Sequence, residues 1–272
     1  VWLKRRDATT GHNLFDTDRG AGYGLSSNLN NAESYSGSAD GVTGFNSDGF
    51  GVNNTWFSQN QSGGDYASWT FRKAEKFFDV VTYTGDGTLR NIPHNLGSTP
   101  AVIIVKSISH ANNWYVQHTS LGPTKSVFLD TTSAAGTRPE WGNTAPTDSV
   151  FTVDGTTVTA TNYSGRTYVA YLFASDAGGF GDDGSESIIK CGSYTGSSTI
   201  PYTVDCGFEP QWLMIKNTAS GSANGWYMID MMRGMTDTGD SYLYANTSDA
   251  EVLNAAYKVY PTATGFGINT NT

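Results

Sequence analysis

Histidines, carboxylates and cysteines are the side chains through which this sequence could do chemistry, and their spacing decides what kind. His12, His94, His110 and His118 have no partner histidine at i+2 or i+4, the spacing that aims two imidazoles at one metal. No nucleophile elbow precedes a helical pattern, so a Ser-His-Asp triad would rest on partners that meet only in space. Turn or surface roles suit these histidines better. The glutamates, Glu33, Glu75, Glu140, Glu186, Glu209 and Glu251, are scattered, whereas glycoside hydrolysis needs two carboxyl groups flanking one bond. Glu33 and Glu251 read as turn residues. Gly20, Gly22 and Gly24 lack the dinucleotide spacing and the Lys-Ser/Thr of a P-loop, and no helix follows to bind phosphate. Asp176, Asp182, Asp183 and Glu186 lack the alternating order of a calcium loop and read as a solvated hinge. Cys191 and Cys206 flank a hairpin-turn signal at residues 195–198. A bridge across that turn is geometrically allowed, and reduced, buried thiols are the favoured state, because one pair makes no disulfide framework. These residues specify no catalytic centre, no cofactor and no metal site.

The elements that would have to position any site are strands. Charged residues make up 15% and aromatics 13% of the 272 residues, and glycine numbers 32. Low charge and many aromatics exclude a disordered chain. The shortage of Ala, Leu, Glu and Lys argues against helical bundles, and Gly, Ser, Thr, Asn and aromatics suit strands joined by tight turns. The net charge of −9, with 16 Lys and Arg spread along the chain, excludes a nucleic-acid surface. No apolar stretch reaches the ~18 residues of a membrane span, so no membrane insertion is expected.

Internal repetition is the strongest signal. Lys4, Lys106 and Lys216 each end an apolar run, and Pro100 and Pro210 precede the second and third. His12, Trp114 and Trp226 then open matching segments that reach Asp16, His118 and Asp230. Next come Arg19-Gly20, Leu121-Gly122 and Arg233-Gly234, followed by polar turns at Asn28, Asp130 and Asn246. Ala32-Glu33, Ala134-Ala135 and Ala250-Glu251 follow in register. Tyr66 to Phe71 matches Tyr168 to Phe173, and the third copy stops before this point. The Lys-to-Lys spacings, 106 − 4 = 102 and 216 − 106 = 110, are those of domains rather than solenoid repeats. Turn signals at near-regular intervals point to tandem antiparallel β-sandwich (jelly-roll-like) repeats with little helix. We delimit repeat 1 at 1–76, repeat 2 at 77–175, a Gly/Asp-rich linker at 176–187 and repeat 3 at 188–272. One helical turn is expected around residues 72–76. Both ends read as cut from a longer polypeptide.

The ordered set of motifs resembles a tandem β-domain family of virion and tail proteins of marine tailed bacteriophages. The residues that carry it are Trp212 to Lys216, Trp226 to Asp230, Arg233-Gly234, Tyr242 to Glu251, Phe45 to Phe50 and Ser164 to Ala174, and the likeness covers nearly the whole chain. The first copy departs at His12, where the Trp-Tyr pair is missing, and the second at Leu121, where Arg is missing. The resemblance implies a tail-fibre or tail-tip adhesin-like role in the virion, or otherwise at a cell surface, without catalytic residues. It also implies a homo-oligomer, a trimer being favoured, that contacts other virion proteins.

Aromatics beside Asn-, Gly- and Ser-rich loops are the candidates for contact with a ligand. Trp56, Phe57, Trp141 and Tyr163 do not recur between copies. Aromatic faces bordered by amides suit sugar stacking as well as contact with a partner subunit. The expectation is therefore a non-enzymatic structural and adhesive module. The alternatives are a carbohydrate-binding module whose ligand is a host-surface glycan and, behind it, a polysaccharide depolymerase.

Overall fold

The computed structural model describes residues 1–35, 40–53, 59–156, 160–219, 224–254, 256 and 258–269. Its elements are strands joined by turns, with two single turns of 3-10 helix at Thr119–Leu121 and Met231–Arg233. The first unit contains β1 (Trp2–Arg5), β2 (Asn13–Leu14), β3 (Tyr23–Gly24), β4 (Ser34–Tyr35), β5 (Val42–Phe45), β6 (Phe50–Val52) and β7 (Tyr66–Trp69). The second contains β8 (Phe78–Thr84), β9 (Leu89–Pro93), β10 (Val102–Ser107), β11 (Tyr115–His118), β12 (Lys125–Phe128), β13 (Gly136–Thr137), β14 (Val150–Asp154) and β15 (Thr167–Phe173). The third contains β16 (Tyr202–Asp205), β17 (Trp212–Lys216), β18 (Trp226–Asp230), β19 (Asp240–Tyr244), β20 (Val252–Asn254), β21 (Val259–Thr262) and β22 (Gly265–Ile268).

Every ladder is antiparallel and pairs strands of one unit. The main sheets run β2-β1-β7, β13-β12-β11-β10-β15-β8 and β17-β18-β19-β20. Smaller sheets, β5-β6, β9-β14 and β16-β22-β21, cover their outer faces. The register repeats along with the sequence. Leu3 pairs with Asn13, Val105 with Tyr115 and Ile215 with Tyr227. On the other side of the central strand Leu3 pairs with Ser68 and Val105 with Ala170. The three lysines that end the apolar runs therefore hold one position in one blueprint.

Side-chain alternation explains why these runs are apolar throughout. On β10, Ile103 and Val105 point to the sandwich core of their own unit, which they share with Trp141, Phe151 and Tyr168. Ile104 points the other way. There it joins a central core with Trp2, Leu14, Leu25, Trp114, Tyr171, Met228 and Leu243 from all three units. Leu14, Val116 and Met228 are one repeat position, and Leu25, Val127 and Leu243 are another; all six lie in this core. A sheet buried on both faces needs apolar residues at both parities. The polar turn residues cap the next strand: Asn28, Asp130 and Asn246 accept hydrogen bonds from the backbone N–H of His12, Trp114 and Trp226 at 2.9, 3.0 and 2.8 Å.

Three local expectations differ from the structure. Residues 72–76 make no helical turn: the backbone N–H groups of Phe77 and Phe78 both return to the Ala74 carbonyl, and Lys76 takes a φ of 62°. The acidic segment is solvated as expected, with residues 181–186 exposed, but it folds into a closed turn rather than an open hinge. Phe180 and Glu186 exchange backbone hydrogen bonds, and Phe180 packs edge-on against Phe77. Gly181 is favoured there by its φ of 77°, a left-handed backbone that L side chains rarely adopt. No ladder forms around residues 195–198. Cys191 and Cys206 are free thiols, and burial pushes the Cys191 thiol up to about 12.

Candidate functional site

The side chains able to do chemistry gather at the seams between units, and each seam repeats the others. The backbone N–H of Glu33 donates to the Ile108 carbonyl at 2.8 Å, that of Ala135 to Thr218 at 3.1 Å and that of Glu251 to Arg6 at 2.7 Å. All three donors occupy one repeat position and all three acceptors another. Lysines add a second set: Lys106 Nζ donates to the Asn30 carbonyl at 3.3 Å, Lys216 Nζ to Thr132 at 3.1 Å and Lys4 Nζ to Ser248 at 3.4 Å. Indoles add a third, with Trp114 Nε1 donating to the Ser26 carbonyl at 3.1 Å and Trp226 Nε1 to Phe128 at 2.7 Å. The contacts run from unit 2 to unit 1, from unit 3 to unit 2 and from unit 1 to unit 3. Head-to-tail contacts that return to their start make a closed ring.

Where the first copy lacks its tryptophan, the neighbouring strand supplies the indole. Trp2 stands at the position of Ile104 and Met214, and its Nε1 donates to His12 Nδ1 at 2.8 Å. His12 is fully buried, and its Nε2 reaches no hydrogen-bond partner of good geometry. Burial lowers its pKa to about 3, with Lys4 adding to the shift and the Tyr244 carbonyl opposing it. The imidazole is therefore neutral.

Two charged clusters close the seams. Arg19 binds Asp16 and Glu33, each at 2.6 Å, and the Leu14 carbonyl at 3.0 Å. Arg233 binds Asp230 at 2.7 Å, Glu251 at 2.8 Å and the Met228 carbonyl at 2.9 Å. An aromatic from the next unit reaches into each. Tyr171 on β15 donates to Asp16 at 2.8 Å, and Trp69 on β7 donates to Asp230 at 3.0 Å. Arg6 of the first unit also grips Glu251, at 2.7 Å. Glu33 and Glu251 are thus carboxylate partners of buried guanidiniums rather than plain turn residues. Burial pushes the Asp16 carboxyl up, but the charge and hydrogen bonds of Arg19 outweigh it and the net shift is downward. For Glu33 burial wins over Arg19 and the net shift is upward. Glu251, held by both Arg6 and Arg233, ends below the usual range despite burial.

A lysine with a depressed pKa can be a nucleophile. Burial lowers Lys4 and Lys106 to about 8, and lowers Lys216 as well. Each Nζ, however, also donates to the carbonyl of its own following residue, at Arg5, Ser107 and Asn217. All three ammonium groups direct their N–H donors to backbone oxygens of their own and the adjoining unit, which makes them fasteners between units. Among the described residues no three His, Cys, Asp or Glu side chains come together as metal ligands.

The aromatic candidates separate. Trp56 and Phe57 lie outside the described residues. Trp141 cannot stack on a ligand: it is fully buried in the core of the second unit, and its Nε1 donates to Ser126 Oγ at 2.8 Å. Sequence alone could not separate a loop-side indole from a core one. Tyr163 is 42% exposed, with the Arg166 guanidinium over its ring at 4.3 Å. Among the described residues, Trp141 and Tyr163 do not come together: one ring is in the core and the other at the surface. A depression lined by Leu3, Arg5, Thr10, Asn13, Gln59 and Tyr66 encloses no room even for a water molecule, where a small-molecule cleft usually offers ~300–1,000 Å³.

A family model described as a domain of unknown function, DUF7483, matches residues 1–272. No curated protein and no solved structure matches the chain.

Proposed function

Because the chain belongs to the DUF7483 family of domains of unknown function, we propose from its geometry that it is a structural and adhesive module rather than an enzyme. The observation that carries this reading is the cycle of equivalent seam bonds from Asn30, Thr132 and Ser248 to Lys106, Lys216 and Lys4. Catalysis needs a constellation that occurs once at one place. Here the seam lysines recur in all three copies and the arginine–carboxylate clusters in two, and they bind one unit to the next, which supports a role in shape and contact. Three sandwiches sharing one core make a stiff body, and its peripheral loops meet a host surface or a partner subunit.

The sequence resemblance to tail proteins of marine bacteriophages supports placing the module in a virion tail, as part of a fibre or receptor-binding protein. In that setting a homo-oligomer, with a trimer favoured, multiplies weak loop contacts into useful avidity. Immunogold labelling of phage particles whose genome encodes the chain tests this. Label on the tail, together with saturable binding of the purified chain to host cells, is the expected result. Particles that lack the chain contradict it. Among the described candidates, Tyr163 is the exposed ring that suits a carbohydrate-binding reading; glycan binding unaffected by Tyr163→Ala argues against a role for it.

A further inference from the structure

Units 1 and 2 share one surface corner and furnish it differently. The backbone N–H of Gln61 donates to the Tyr66 hydroxyl, and that of Tyr163 to the Tyr168 hydroxyl, both at 2.9 Å. The backbone N–H of Asp65 donates to Asp7 Oδ1 at 3.3 Å, and that of Thr167 to Ser109 Oγ at 3.0 Å. Gln61 and Tyr163, Gly64 and Arg166, and Asp7 and Ser109 therefore occupy equivalent positions.

Both corners carry a guanidinium, sent from different strands. Unit 1 supplies it from Arg5 on β1, and a Cβ on Gly64 would meet Arg5 Nε at 3.1 Å. Unit 2 has buried Ser107 at the place of Arg5, and sends Arg166 from the place of Gly64. The charge around the two differs. Asp7 grips Arg5 with both carboxylate oxygens, at 2.7 and 3.0 Å, and Gln61 accepts a further hydrogen bond from it. Arg166 lies over the Tyr163 ring at 4.3 Å. Among the described residues its guanidinium makes no ion pair or hydrogen bond, and its Nε is buried without a partner. Ser109 keeps the bond that Asp7 makes to the neighbouring strand but brings no charge. Its Oγ and His110 Nδ1 share a hydrogen bond at 2.9 Å, and both residues are exposed.

We propose that Tyr163, Arg166 and Ser109 form a binding site for an acidic sugar, whose carboxylate takes the place that Asp7 fills in unit 1. This deepens the reading of the chain as a contact module, on which it rests, by naming the ligand class of one peripheral loop. A guanidinium matches a carboxylate with two parallel hydrogen bonds, as Arg5 matches Asp7. The tyrosine ring beneath holds Arg166 in place, so less side-chain freedom is lost when the anion arrives. The exposed part of the same ring suits the C–H face of a sugar, and the Ser109 hydroxyl suits the sugar's own hydroxyls. A polyhydroxylated ring that carries the charge uses all three groups, whereas a lone carboxylate uses one. The net charge of −9 opposes anions at a distance, so the site is weak and short-ranged and gains from multiple copies.

The test titrates the whole chain with a galacturonic acid tetrasaccharide, and with its methyl ester as the neutral control, following backbone amides by NMR. Saturable shifts are expected at Ser109, Tyr163 and Thr167 with the acid. The ester binds at least about tenfold more weakly, the loss of hydrogen bonds to a charged group. Arg166→Lys keeps the charge without the fork and weakens the acid as well. Ser109→Asp carries the decisive comparison. It restores the arrangement of unit 1, occupies Arg166 from within the chain, and weakens the acid at least about tenfold while adding an ion pair to the fold. The amide spectrum of each variant reports whether it is folded, and the ester comparison needs no variant. Absence of saturable shifts, equal binding of acid and ester, or full binding by folded Ser109→Asp overturns the proposal. These readouts use the purified chain alone. Label on the tail without uronate binding therefore rejects the site and leaves the module reading, and uronate binding without label does the reverse.

Discussion

Acid should open the seam at His12, and the size of the effect follows from its surroundings. The imidazole is enclosed between Trp2, whose Nε1 donates to Nδ1, and the Tyr244 carbonyl. Protonating Nδ1 sets an N–H against an N–H, in the company of Lys4 and Arg233. The folded pKa is about 3, against about 6.5 for an exposed histidine. A depressed folded pKa means that the unfolded chain binds the proton more readily. The stability tied to neutral His12 is therefore complete above the unfolded value and is lost as pH falls from about 6.5 toward 3. Between about pH 7 and pH 4.5 this one group removes on the order of 2–3 kcal/mol. His12→Gln keeps an acceptor for Trp2 and has no proton to gain. Urea unfolding of both proteins at the two pH values isolates the histidine by difference, because the other acids titrate in both. Wild type is expected to lose roughly 2–3 kcal/mol more than the variant. Equal losses would show that the imidazole is not enclosed, and the reasoning about this seam would fail.

Tyr171→Phe keeps the ring but leaves Asp16 without its hydroxyl donor; chemical denaturation should show a loss of about 1.5–3 kcal/mol, as for other hydrogen bonds to charged groups. Trp141→Ala should cost about 3–5 kcal/mol, a large-to-small change in a packed core, and should leave any glycan binding per folded molecule unchanged. Gly85→Ala brings a Cβ to 2.2 Å from the Tyr163 carbonyl oxygen, a backbone atom that cannot step aside, so thermal melting should show a loss of about 1–3 kcal/mol or more. Gly49→Ala meets nothing within 4 Å and serves as the unaffected control.

The all-β sandwich class could be read from composition and turn spacing, and the alignment of Lys4, Lys106 and Lys216 reappears as a shared ladder register. The continuous apolar runs announced strands covered on both faces without saying by what. The second cover is the back of the other two units, and cyclic closure leaves no trace in local periodicity. Glu33 and Glu251 looked like turn residues because their arginines lie 14 and 18 residues away, across a loop. The recurrence of Arg and Glu together in copies 1 and 3, and their joint loss in copy 2, was the available signal. Trp141 was misjudged because a polar, Gly-rich neighbourhood describes the backbone around an indole and says nothing of where the ring goes. The motif mismatch at His12 hid a compensation, since Trp2 carries the indole on the adjacent strand.

Native-state hydrogen exchange at the Glu251 amide tests the closed ring most directly. This N–H lies outside any strand, and its acceptor is the Arg6 carbonyl at the opposite end of the chain. The ring predicts protection comparable to that of the Glu33 and Ala135 amides, whose acceptors occupy the equivalent position. Exchange at Glu251 near the rate of an open loop, with the other two protected, would mean that the third seam does not close.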